Sequence, residues 1–169
     1  KLAEIIVVDD GSLDNTADLA RNYPVNCVTT EPHGRSAARN LGWQSAKGEI
    51  IWFLDADCVP QPDALDHLLE SLGDPHVAGA GGSFALEHTG PLLSCLIHEE
   101  IIQRHQVMPE RINFVATGNA AYRKDVLRHV GGFDERFLRA EDIDLSYRAA
   151  RARGRLAFAP QSRVCHFHD

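Results

Sequence analysis

Apolar residues come in short bursts separated by Gly, Pro and acidic turns. Residues 4–9 (Glu-Ile-Ile-Val-Val-Asp) are a near-continuous apolar run, the pattern of a strand buried on both faces. Asp10-Gly11-Ser12 breaks it, and Ser12 or Asp14 can cap a helix over roughly 15–22 that Pro24 stops. A short strand is expected over 25–29, then a loop through Gly34. The small residues of 36–46 predict a helix, with Gly48 as its stop signal. Strand 49–54 follows, ending in Asp55-Ala56-Asp57, and Pro62 opens a helix over 63–72. A glycine-thinned strand is expected over 77–86 and an amphipathic helix over 92–106. After a loop at 107–112, residues 113–122 predict one or two short strands broken at Gly118. Helices are expected over 124–130 and 141–152, with a last strand at 156–158 and an extended tail beyond Pro160. Strand and helix alternate in the first half, so the fold class is α/β, a doubly wound sheet with parallel strands.

Length and charge narrow this. The 169 residues suit one domain with its own core, and 44% apolar with 24% charged residues is ordinary for a globular protein. No run approaches the roughly 18 apolar residues of a membrane span. The chain enters strand pattern at once, without initiator Met or signal peptide, as expected of a piece excised from a longer protein. A net charge of -7 argues against nucleic-acid binding and fits an acidic cleft that holds a cation. Cys27, Cys58, Cys95 and Cys165 form no CxxC pair and are expected as free thiols in a reducing compartment. Neither GxGxxG after a strand nor GxxxxGK[ST] is present.

The chemistry sits at element ends. Two carboxylates ending a buried strand need a partner. In an extended segment Asp55 and Asp57 point the same way, which makes a site for a hard divalent ion completed by phosphate oxygens. The alternative is a solvated turn before Pro60. Asp9-Asp10 ends the first strand: Asp10 could contact a nucleoside and Asp9 brace the loop, or the stretch is an Asx turn. Arg35 and Arg39 lie one helical turn apart; Arg35 could meet a phosphate or fix Asp55, or both serve surface ion pairs. Glu141-Asp142-x-Asp144 opens a helix, where backbone N–H groups favour carboxylates. A carboxylate held there suits a general base acting on a hydroxyl, and Glu141, which faces with Leu145, cannot share that job with Asp142. His166 and His168 share a face of the extended tail and could complete a metal shell, or are simply satisfied histidines. Thr117-Gly118-Asn119 could bind a sugar hydroxyl or an acceptor, or form a β-turn.

Together, Val8-Asp9-Asp10-Gly11-Ser12, Gly34-x4-Arg39-Asn40-x-Gly42, Phe53-Leu54-Asp55-Ala56-Asp57, Gly118-Asn119, Gly132-Phe133-Asp134-Glu135 and Glu141-Asp142-x-Asp144-Leu145-x-x-Arg148 resemble, in order, the inverting glycosyltransferase family 2 with the GT-A fold. The resemblance implies one GT-A glycosyltransferase domain over 1–169, with a mostly parallel central sheet and helices on both faces. It implies an N-terminally incomplete domain, lacking the family's first strand and helix, with open edges that favour self-association. By resemblance, Asp10 meets the base of a nucleotide-sugar, Arg35 and Arg39 line its pocket, and Gly118 and Asn119 complete the donor site. Asp55 and Asp57 bind ribose and a Mn²⁺ or Mg²⁺ ion, with Asp57 the more direct ligand and His166 an added one. Asp142 is the catalytic base and Glu141 its companion. The implied reaction moves one sugar, from a UDP-sugar by preference, to a glycan, lipid or small-molecule acceptor with inversion. No Gln-x-x-Arg-Trp run follows Glu141-Asp142, which departs from the processive synthases. The implied location is the cytoplasm, or the cytoplasmic face of a membrane reached through segments outside these residues. The rival readings are a nucleotidyltransferase-like enzyme, which the Glu141-Asp142 block opposes, and a non-catalytic binding domain.

Overall fold

A computed structural model describes residues 2–85, 109 and 111–167. The expected helix over 92–106, Cys95 and His168 lie outside the described residues. The strands are β1 (Ile6–Asp10), β2 (Asn26–Thr30), β3 (Ile50–Leu54), β4 (Cys58–Pro60), β5 (Val77–Ala85), β6 (Arg111–Ile112), β7 (Asn119–Arg123) and β8 (Arg155–His166). The helices are α1 (Thr16–Arg21), α2 (Arg35–Ser45), α3 (Ala64–Ser71), α4 (Lys124–Val130) and α5 (Glu141–Arg153).

The strands fall into two sheets. β1 and β2 pair in parallel, and β3-β7-β5-β8-β4 form the main sheet, with β6 added against β8. Among the described residues only β1·β2 and β5·β8 are parallel; the β3·β7, β5·β7, β4·β8 and β6·β8 pairings are antiparallel. This corrects the expected mostly parallel sheet. Strict βαβ alternation stops after β3: β4 follows it through a turn, and two helices, α4 and α5, separate β7 from β8, so strand direction is free to reverse. Helices do cover both faces. Ile51 and Phe53 of β3 point to a cluster with Trp43, Tyr122, Leu127, Phe133 and Leu145, beneath α2, α4 and α5. Ile50 and Trp52 point the other way, against Leu68, Leu72 and the alanines of β5, β7 and β8. This period-2 split is why the run reads as uninterruptedly apolar.

Two elements were hidden by proline. β4 occupies the stretch expected as a loop before Pro60; it is an edge strand, where the missing N–H of Pro60 costs no ladder bond. The expected tail after Phe158 is instead the second half of β8. The β5·β8 register slips between Gly82 and Ser83, which lets Pro160–Ser162 bulge out before pairing resumes at Arg163. Ser83 Oγ donates to the Pro160 carbonyl at 2.7 Å across that bulge. The glycines of β5 answer to close packing. A Cβ on Gly82 would run into the Asn119 amide and the Ser162 carbonyl, so nothing larger than hydrogen fits.

Candidate active site

β1, α2, the β3–β4 turn, the end of β8 and the start of α5 meet on one side of the main sheet. Asp10 ends β1, and both its carboxylate oxygens accept backbone N–H groups, from His33 at 2.9 Å and Gly34 at 2.7 Å. It thereby fixes the loop that launches α2, whose N-cap Gly34 holds φ at 94°. The bracing expected of Asp9 is present too, on the nearer loop at 10–12. Asp9 is buried, and its Oδ1 accepts the Ser12 N–H at 3.1 Å, which closes the turn after β1.

α2 carries the site's cations. Arg39 Nη2 donates to Asp55 Oδ1 at 2.9 Å and Nη1 to Glu141 Oε1 at 2.7 Å. The fixing of Asp55 expected of Arg35 therefore falls to Arg39. Arg35 sits 3.7 Å from Glu141 Oε1 with its own side chain 62% exposed, a much weaker contact. The guanidinium of Arg39 also stands over the Phe133 ring, 5.7 Å from its centroid. Asn40 holds that ring's loop: its Nδ2 donates to the Phe133 carbonyl and to Glu135 Oε1, both at 2.9 Å, and its Oδ1 accepts from Phe133 N–H at 2.8 Å. A polar residue on a small, apolar helix face was the signal for Asn40. Nothing in the sequence showed what it grips.

The two acids of Asp55-Ala56-Asp57 do not act as a parallel pair. The segment is a turn, closed by Cys58 N–H donating to the Asp55 carbonyl at 3.0 Å, and this overturns the extended geometry expected for it. Asp55 turns to Arg39. Asp57 turns to His166, with 3.1 Å between Oδ2 and Nε2. β4·β8 pairing places His166 directly opposite Cys58, and Phe167 N–H donates to the Asp57 carbonyl at 2.8 Å. Asp57, Cys58 and His166 form the metal-capable cluster of the described residues, one donor atom from each lying within 4.8 Å of the others. Carboxylate oxygen and imidazole nitrogen fit Mn²⁺ well and Mg²⁺ less well. Burial, then the charges of Asp57 and Asp55, push the Cys58 thiol up to about 12, so it stays protonated and donates at 3.7 Å to Asp57 Oδ1. Asp55 stands outside the cluster.

Glu141 and Asp142 open α5, with Asp144 also in its first turn. Glu141 is buried among the arginines, and Asp142 is half-exposed, its Oδ1 accepting the Ile143 N–H at 2.9 Å. One residue earlier Ala140 takes a left-handed backbone, φ 61°, which swings the chain into the helix. Gly118 backs directly onto Asp55, since a Cβ there would lie 3.3 Å from Asp55 Oδ2. Asn119 does not face a ligand. It is 1% exposed, accepts from Trp52 Nε1 at 3.0 Å and donates to the Ser162 carbonyl at 2.9 Å, a staple across β3, β7 and β8. The turn at 116–119, closed by Asn119 N–H to the Ala116 carbonyl, matches the β-turn reading of that stretch.

The chain is 31% identical over 172 residues to the glycosyltransferase AglE of Haloferax volcanii, covering 96% of this chain and 56% of that protein. In fold it is similar to GalNAc-T7, solved with UDP, GalNAc and Mn²⁺ (TM-score 0.76, 20% identity, 98% of this chain and 38% of that one). It is similar too to the mannosyltransferase PcManGT of Pyrobaculum calidifontis, solved with GDP-Man and Mn²⁺ (TM-score 0.71, 22% identity, 96% and 47%). The chain thus spans about half or less of the length of these relatives. The family model described as glycosyl transferase family 2 matches residues 1–131, the stretch that carries Asp10, Arg39, Asp55 and Asp57, and this chain belongs to that family.

Proposed function

We propose that this chain is the donor-binding and catalytic part of a metal-dependent glycosyltransferase that moves one sugar from a nucleoside-diphosphate sugar to an acceptor hydroxyl with inversion. The observation that carries the reading is the Asp57–His166 pair, set beside an Asp55 that Arg39 joins to the first turn of α5. Asp57 and His166 would hold Mn²⁺ or Mg²⁺. When bound, the ion supplies positive charge to the diphosphate as it leaves. Asp142 takes the proton from the acceptor hydroxyl. The acceptor oxygen bonds to the anomeric carbon from the face opposite the leaving group, and the bond to the β-phosphate oxygen breaks with its electron pair. Asp10 shapes the base pocket by fixing the His33–Gly34 loop.

The relatives solved with UDP and with GDP-Man make either nucleotide a candidate, and we take UDP as the first choice. The acceptor is a glycan, lipid or small molecule. No helix of the described residues is long and apolar enough to cross a membrane. Among the described residues β1 pairs only with β2, and β3 is an edge of the main sheet. Two sheets whose facing strands share no hydrogen bonds support a further strand, from a segment outside residues 1–169, that joins them and completes the nucleotide pocket. Left open, these edges favour self-association.

Titration calorimetry of UDP, GDP and TDP into the full-length protein, with and without Mn²⁺, tests the reading. Metal-dependent binding of one of them is expected. Its absence for all three overturns the proposal.

A further inference from the structure

Resting on that reading, we infer that Arg39 is a positioning residue that touches neither donor nor acceptor and instead locks the donor-side carboxylate to the helix carrying the base. Arg39 and Glu141 lie 102 residues apart in sequence and 2.7 Å apart in space. A guanidinium has a rigid fork of donors. Here its two terminal nitrogens go to different acids, Nη1 to Glu141 and Nη2 to Asp55. With the side chain only 17% exposed and one face of the guanidinium over the Phe133 ring, the fork is committed to protein carboxylates rather than held open for a diphosphate.

The same geometry divides the work of the acidic pair on α5. Glu141 Oε1 takes both arginines, and the residue is 4% exposed. Buried behind two guanidinium groups, Glu141 has no room for an incoming hydroxyl, which leaves that task to the half-exposed Asp142. Glu141 directly follows the left-handed Ala140, where the chain turns into α5. Pinning Glu141 therefore fixes the direction in which the first turn, and Asp142 with it, leaves the loop. Asp55 is held from the other side of the same cation. Misplacing a base by about 1 Å is enough to cost on the order of 100-fold in rate.

The test uses Arg39→Met, Arg39→Lys, Glu141→Gln and the Arg39→Met/Glu141→Gln double variant of the full-length protein. It reads Mn²⁺-dependent binding of UDP by calorimetry, kcat and KM for transfer, and unfolding in urea. Glu141→Gln is expected to leave UDP affinity within about threefold while kcat falls on the order of 100-fold, the signature of a group acting on the reaction step alone. Arg39→Met lowers kcat similarly and also weakens UDP binding about tenfold, through the loosened Asp55. Arg39→Lys does not rescue, because one ammonium cannot replace a fork that spans two acids. The double variant is no slower and no less stable than Arg39→Met, since one interaction has been removed twice. Losses in kcat that multiply in the double variant, a rescuing Lys, or a UDP defect in Arg39→Met with kcat intact each overturn the lock; the last would make Arg39 an ordinary nucleotide contact. A wild type that transfers nothing sinks the proposed function instead. The lock is then still decided by the urea data, where additive losses of Arg39→Met and Glu141→Gln would refute it.

Discussion

Replacing Asn119 with alanine separates a structural role from a ligand role. The amide is 1% exposed, and its removal orphans two groups: the Trp52 indole N–H and the fully buried Ser162 carbonyl. A third, longer contact to the Ser83 carbonyl at 3.4 Å adds little. Each orphaned group costs about 1–3 kcal/mol. With the small cavity left behind, the total comes to about 3–5 kcal/mol, a large part of the stability of a single domain. For a chain of this size that is a fall of roughly 10 °C in Tm. Asn119→Asp should do at least as much damage, since it points a carboxylate at carbonyl oxygens. Urea unfolding followed by fluorescence of Trp52 and Trp43 measures the change. A loss below about 0.5 kcal/mol, the range of ordinary surface substitutions, together with a raised KM for donor, would show that the side chain serves the sugar after all.

The other expectations follow from single contacts. Asp142→Asn should abolish transfer and leave nucleoside-diphosphate binding within about threefold, because the amide keeps its place and loses only its basicity; a fully active variant removes Asp142 as the base. Ala140→Gly should raise stability by about 1 kcal/mol, since glycine holds the left-handed φ of 61° without the Cβ clash; a lower Tm would mean that the methyl group packs usefully. Arg136, hydrogen-bonded to the Asp134 carboxylate, holds that acid down to about 2, so its contribution to folding is complete above the ordinary value of 3.8 and is lost as pH falls through about 2. Arg136→Ala should bring the Asp134 titration, followed by carboxyl ¹³C chemical shift, back up towards that ordinary value. An unmoved midpoint contradicts the pairing.

What the sequence made legible was whatever depends on local periodicity. The unbroken apolar run Ile50-Ile51-Trp52-Phe53, the acidic opening of α5 and the small residues of α2 all predicted their elements. The acidic positions were legible too, because carboxylates at the ends of apolar runs stand out. Partnership was not. Nothing local says that Arg39 rather than Arg35 reaches Asp55, as the choice depends on how α2 rotates against β1 and Phe133. Nor does spacing reveal that Asp55 and Asp57 part company, since a tight turn and an extended segment share the same letters. Proline misled twice. At Pro60 and Pro160 it read as an end of structure, whereas an edge and a bulge each tolerate a residue without an N–H.

β8 binds to β5, β4 and β6, drawing together segments that precede it by as much as a hundred residues. During synthesis, then, β5 and β4 must wait with bare backbone edges until residues 155–166 have left the ribosome. At a synthesis rate of about 5–20 residues per second that wait lasts several seconds, long compared with the microseconds in which α3 can collapse onto β5. Through that wait the open edges of β4 and β5 are where the nascent chain is most exposed to mispairing.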